Sequence, residues 1–243
     1  MAALTTTQVP ALGSSSVRAL SLSQIVALGS EQAVALNTIQ IGVLTSSQVA
    51  ALDTIDLQAL TTAQVAVLGS AQVAALTLDQ VPVLTSGGVR ALSVSQIAAL
   101  TSAQSQALTT AQVVVLTTAQ ILAIEETDLA VWTTAQIGAL TTSQVAALSV
   151  GQIVSLTSVQ LSNLSTAQVS TLGSAQIAAV ESQDLQAFTT AQVAVLSSAQ
   201  AAALGVEQVS ALKTTQVPAL ASNALRSLGA DKISALSSAQ AVA

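Results

Sequence analysis

Large apolar residues recur every eight positions along the whole chain. Leu4, Leu12, Leu20 and Leu28 open a series that runs to Leu236, with Ile124, Trp132, Val180 and Phe188 standing in the same slot. The series makes 30 octads without an insertion or deletion. No single continuous helix accommodates such a period. Two α-helical turns take about 7.2 residues, so a stripe of period eight drifts around the helix surface. Each octad must therefore contain a break, and an octad alone is too small to bury its apolar face. Short self-similar units of this kind are stable only when neighbours stack.

The residues within the octad say where the break falls. Counting from the residue after the leucine slot, the first position is Thr, Ser, Gly, Asn or Asp in 26 of 30 octads. These are the preferred helix N-caps. The fourth position is Gln in 23 of 30. Thr-x-x-Gln is a capping box, in which the hydroxyl accepts from the N3 amide and the glutamine reaches back to the N-cap amide. The leucine before the cap and the Val or Ile after the Gln occupy the N′ and N4 positions of a hydrophobic staple. Residues 61–67 illustrate the prediction: Thr61 caps, Gln64 is N3, Val65 is N4, and Leu68 turns the chain into the next unit. A helix this short lies below the roughly 12–15 residues that persist alone in water. Ordering eight residues costs on the order of 10 kcal/mol, more than one Leu, one Val and an Ala return on burial.

The pattern therefore predicts an all-α fold, a solenoid or superhelical screw of very short helices, one per octad. It forms a single array over residues 1–243 with no separate domain or linker. The seventh position stays small (Ala75, Val83, Ser155, Asn163, Thr171), as close approach of backbones requires. The sixth varies freely (Pro10, Arg18, Val26, Gly42, Gln58, Leu122) and is expected to face outward. Octads do not alternate at period 16, so equivalent units are expected. The alternative is a β-solenoid, since Thr and Val favour strands. Against it stand the lack of strict alternation in V-A-A-L and the absence of any reason for Gln at one fixed place.

Composition removes most chemistry. The chain has no His, Cys or Tyr, which leaves no imidazole base, thiolate or zinc site of the usual kind. Five basic residues against eleven acidic ones give a net charge of −6, the wrong sign for phosphate backbones. Mean hydropathy is +0.71, but a polar residue interrupts every few positions, so no membrane span is expected. The opening MAALTTTQVP enters the repeat without the basic and apolar regions of a secretory leader. Ser86-Gly87-Gly88 lacks a P-loop lysine and reads as a loosened cap. No enzymatic activity and no cofactor are expected.

Two octad variants stand out. Pro10, Pro82 and Pro218 occupy sixth positions, and in each following octad the Gln is replaced, by Ser16, Gly88 and Ala224. Those same octads carry all three arginines, Arg18, Arg90 and Arg226. Proline inside a helix removes a donor and frees a carbonyl. One reading is that the following arginine covers that carbonyl; the other is a duplicated block, since Pro10 and Pro82 lie 72 residues apart. The second variant has Asp in place of Gln, always followed by Leu: Asp56-Leu57, Asp128-Leu129 and Asp184-Leu185. With Asp53, Glu125, Glu126 and Glu181 nearby, these carboxylates are the only candidates for a weak divalent-cation site. The plainer explanation is acidic residues opposing the positive end of a helix dipole.

The LTTAQVAV and LTTAQVVV octads at Leu60 and Leu108 resemble the low-complexity repeat tracts of very large bacterial secreted and cell-surface proteins, the adhesin-like and RTX-like giants. The resemblance implies a segment of a larger protein in an extracellular or cell-surface setting, and it brings no catalytic residues. The expected function is structural: a rod, stalk or spacer, or a scaffold that self-associates end to end. The alternative is a repetitive binding surface for a partner, carbohydrate or ice, with Thr pairs such as Thr61-Thr62 and Thr109-Thr110 as the candidate rows.

Overall fold

A computed structural model describes residues 3–242. Among them, each octad forms one local element. Twenty-seven are α-helices of four to six residues, two are 3-10 turns (Val9–Ala11 and Val217–Ala219), and residues 77–83 form hydrogen-bonded turns alone. No strand occurs among the described residues. The β-solenoid alternative is thereby set aside.

The cap chemistry acts as the sequence requires. The helix Thr62–Ala66 starts at Thr61, whose hydroxyl accepts from the Gln64 amide at 3.3 Å. Gln64 Oε1 accepts from the Thr61 amide at 2.8 Å. The same box recurs at Ser21, Asn37, Thr45, Ser93 and Thr109. Where glycine occupies the cap, the glutamine half persists, as in Gly205 N–H donating to Gln208 Oε1 at 2.7 Å. Helices end without a left-handed residue: no described residue has positive φ. The corner comes instead from two consecutive extended residues, for example Leu60 (φ −57°, ψ 137°) and Thr61 (φ −68°, ψ 157°). Any L-residue tolerates those angles, so the corner position is free to carry a large apolar side chain into the core.

The three elements without α-helix are the three proline octads. In a regular octad the sixth-position amide would bond to the second-position carbonyl; proline lacks that donor, and its ring crowds that carbonyl. What remains at Pro82 is Val81 N–H to Thr77 O at 3.1 Å and Leu84 N–H to Val81 O at 3.3 Å.

The chain divides into two compact units, Met1–Ile124 and Glu125–Ala243, meeting at the boundary between a leucine slot and its cap. Within each unit, helices pack against the helix three octads away, as Thr38–Gly42 does on Thr62–Ala66 and Thr142–Ala147 on Thr166–Thr171. Three positions per octad turn inward. The fifth-position residues from Val9 to Val209 are at most 1% exposed. The leucine slot from Leu28 to Leu228 is buried nearly as deeply, including Trp132 and Phe188, and so is the fourth-position glutamine from Gln32 onward. The sixth position is mostly exposed and the seventh half-buried.

Candidate functional site

The buried glutamine is the most repeated polar group in the molecule, and it has a second task. Its Oε1 closes the capping box; its Nε2 points the other way, into the preceding coil. Gln40 Nε2 donates to Val9 O at 3.0 Å and to Leu12 O at 2.7 Å. Gln80 reaches Val49 O and Leu52 O at 3.0 and 2.8 Å. In the second unit, Gln160 reaches Leu129 O and Trp132 O at 3.1 and 2.8 Å, and Gln216 reaches Leu185 O and Phe188 O at 3.0 and 2.8 Å. In these four the acceptors lie 31 and 28 residues back; Gln96 and Gln240 keep the 28-residue acceptor, with a second one 30 residues back. A helix that packs on the octad three back while its glutamine bonds across to the end of the octad four back fixes the coil at between three and four octads. The leucine-slot carbonyl is available because its residue is extended and the helix before it has ended, which leaves the carbonyl without an intrahelical donor.

Only part of this was expected. The capping box follows from the spacing, but the ladder does not, because its partner lies outside the repeat. One signal was present. Glu and Gln serve a capping box equally well, yet the fourth position contains 23 Gln and no Glu. A position that takes Gln so often and never Glu points to a need for a donor. Lys232, which replaces Gln at one fourth position, obeys the same rule: its Nζ donates to Ala202 O at 2.6 Å, 30 residues back. Second-position hydroxyls add a weaker forward staple, as in Ser46 Oγ to Ala71 O at 3.0 Å and Ser174 Oγ to Ala199 O at 3.3 Å.

The acidic octads invert the polarity of the ladder. Asp56, 3% exposed, cannot donate as a carboxylate. Its Oδ1 accepts instead from Ser30 Oγ at 3.0 Å, 26 residues earlier. Asp184 accepts from Ser158 Oγ at the same offset. The second oxygen of Asp56 is buried without a hydrogen-bond partner. Burial pushes the Asp56 carboxyl above its ordinary value of 3.8; the Ser30 hydroxyl pulls it back and the Asp53 charge adds to the rise. Asp53 itself is a cap, accepting from the Ile55 amide at 2.9 Å. Glu125 and Glu181 stand at exposed cap positions without capping bonds, and Asp128 is buried. The Glu126 carboxylate lies over the backbone of Gly151, where a β-carbon would meet it. The candidate metal ligands are thus dispersed between caps and core. Among the described residues no group of three or more carboxylates gathers to hold an ion.

The proline–arginine pairing has a different outcome from the one anticipated. Arg90 does not turn back to the carbonyl freed by Pro82; its guanidinium donates forward to Val115 O at 3.2 Å. The loss of Gln in that octad has a steric side. A β-carbon on Gly88 would approach Val65 Cγ2 to 3.3 Å, and one on Gly87 would approach Thr62 Oγ1 to 3.3 Å. The small fourth-position residue lets these two coils sit close.

The ALTTAQ repeat pattern matches residues 1–38, 49–86, 83–118, 121–158 and 177–214, about three-quarters of the chain. The chain belongs to the ALTTAQ repeat family. The family's name spells the motif just described: the leucine slot, the Thr cap and, three residues after the cap, the Gln. No curated protein matches the chain. Among the described residues of this ALTTAQ array no helix is long and apolar enough to cross a membrane.

Proposed function

We propose that the array is a structural element, a rod, stalk or spacer, and not an enzyme. The glutamine ladder carries this reading. The polar side chain that recurs most often at one place in the octad, Gln in 23 of 30, is invested in the interior, where within each unit it joins one coil to the one before. That arrangement maintains a constant step from coil to coil in a chain whose units are too short to stand alone. The reading also takes the setting to be extracellular, on a bacterial surface, as a segment of a larger protein; the resemblance of the octads to surface-protein tracts supports this. The net charge of −6 argues against a nucleic-acid partner.

A repetitive binding surface is the second reading, and the caps weigh against it. The Thr hydroxyls that would make a regular face for ice or carbohydrate already accept from N3 amides, as at Thr61, Thr109, Thr117, Thr133 and Thr141. The sixth position varies too much to repeat one contact.

Small-angle scattering on dilute chains lengthened or shortened by whole blocks of three octads tests the spacer reading. The maximum dimension should change by a constant increment per block at constant cross-section. A dimension that barely changes, with a growing cross-section, would overturn it. Antibody labelling of intact against permeabilised cells tests the surface setting.

A further inference from the structure

Among the described residues, one buried side-chain polar atom has no hydrogen-bond partner: Oδ2 of Asp56. It stands at a fourth position, where a glutamine would send its amide into the preceding coil. An ionised Asp56 has no donor to send. The bond that joins it to the preceding coil is one it receives, from Ser30 Oγ to Oδ1 at 3.0 Å. The two helices concerned, Ser30–Ala35 and Thr54–Ala59, pack on each other, and the Asp56 side chain that links them is 3% exposed. No positive charge compensates it. The titratable group on the preceding helix is Glu31, and in its own octad it is Asp53. On the following coil, which Gln80 ties to Leu52 O at 2.8 Å, it is Asp79. All three are acidic.

We propose that this octad is a proton-operated joint: proton uptake by Asp56 tightens the contact between the helices Ser30–Ala35 and Thr54–Ala59, and proton release loosens it. The ionised carboxylate has one satisfied oxygen and one buried without a partner. Such a group weakens the contact that buries it. Once protonated, the charge is gone and Oδ2 carries a hydrogen, so the octad gains the kind of donor that glutamine supplies elsewhere. Burial holds the Asp56 carboxyl above its unfolded value of 3.8. The joint therefore has its full strength below that value and loses it as pH rises through the folded value. In a stacked array each contact couples only neighbours, so the loosening stays local. Contacts made through glutamine, which does not titrate, keep their strength across the same range. This inference goes beyond the structural role and does not depend on it.

The test uses the absence of cysteine from the chain: a thiol placed in the core reports the opening of its surroundings. Ala33→Cys puts one in the helix Ser30–Ala35, at a residue 0% exposed. Val73→Cys puts a reference thiol at an equally buried residue of the helix Ser70–Val73. That helix packs on Val94–Ile97, whose Gln96 has its rung in place. A dipyridyl disulfide, which titrates thiols in acid as well as at neutral pH, gives both rates in the same buffers, and their ratio cancels the pH dependence of the reagent. From about pH 4 to about pH 7 the Ala33→Cys rate should rise relative to the reference by at least about threefold. With Asp56→Asn added, the ratio should stay flat, because the amide keeps an acceptor for Ser30, brings a donor and does not titrate. A flat ratio without Asp56→Asn would overturn the proposal, and so would a rise that survives that substitution. Circular dichroism melts check that the thiol variants fold. If one does not, amide hydrogen exchange on the unsubstituted chain decides the question. Residues 28–36 should then lose protection relative to residues 68–76 as pH rises, and equal behaviour of the two segments would overturn the joint.

Discussion

At the residue scale, the glutamine decides the architecture because it is bifunctional. Its carbonyl oxygen is satisfied inside the octad and its amide in the preceding coil. Buried polar groups must find partners, and this one finds them on both sides. Replacing Gln112 by Glu should retain the box but leave a carboxylate against the carbonyls of Val81 and Leu84. Loss of those bonds and burial of a charge should lower stability by about 2–3 kcal/mol in urea unfolding. A change within experimental error would mean that the ladder contributes little. Asp56 is the natural counterpart. It is one methylene shorter than Gln and is followed by the larger Leu57. Its carboxyl is raised by burial, so the folded chain holds its proton to higher pH than the unfolded chain does. Stability from this group is therefore full below the unfolded value of 3.8 and declines as pH rises through the folded value. Asp56→Asn should remove that pH slope and stabilise the chain near neutral pH by about 1 kcal/mol, because the second side-chain atom need no longer carry unpaired charge. An unchanged slope in pH-dependent unfolding would place the titration elsewhere.

At the scale of the element, the octad was legible in the sequence because all its determinants lie within eight residues. Cap, box and the two buried apolar positions follow from Thr61, Gln64, Val65 and Leu68, and the helix Thr62–Ala66 forms there. The proline octads also follow from local chemistry, and they show that the ladder outlasts the helix: Gln80 still reaches Val49 O and Leu52 O from the turns at 77–83. Pro82→Ala should therefore restore one helical hydrogen bond without disturbing the coil, raising stability by about 1 kcal/mol, less than the ~3 kcal/mol of a proline forced into a regular helix interior. A thermal melt shifted downward would show that the turn is required. Gly88→Ala should have the opposite sign despite a better helix propensity. The new β-carbon enters the 3.2–3.4 Å gap beside Thr85 and Val65, and a loss of about 1 kcal/mol is expected in the same melt.

At the scale of the whole molecule, the sequence is least informative. Nothing in an eight-residue consensus states that the partner of a glutamine lies 28 and 31 residues back, because equivalent octads look alike at every offset. The arginine assignment failed for the same reason: Arg90 finds its carbonyl on the next coil, beyond what adjacency in sequence suggests. The acidic candidates were separated within their octads because the first position caps an exposed helix start while the fourth turns into the core, as Asp53 and Asp56 show. The result is a chain whose cohesion depends on rungs between coils.

The most direct measurement is hydrogen exchange of glutamine side-chain amides, read by NMR on dilute chain labelled with nitrogen-15 at Gln. Two classes are predicted. Ladder glutamines such as Gln80, Gln112 and Gln192, which donate to buried carbonyls, should exchange at least about a hundredfold more slowly than a free side-chain amide, in keeping with opening governed by coil separation. Gln8 and Gln24, exposed on the first coil, should exchange at the free rate. Uniformly fast exchange at every glutamine, in a chain that is otherwise helical, would contradict the ladder.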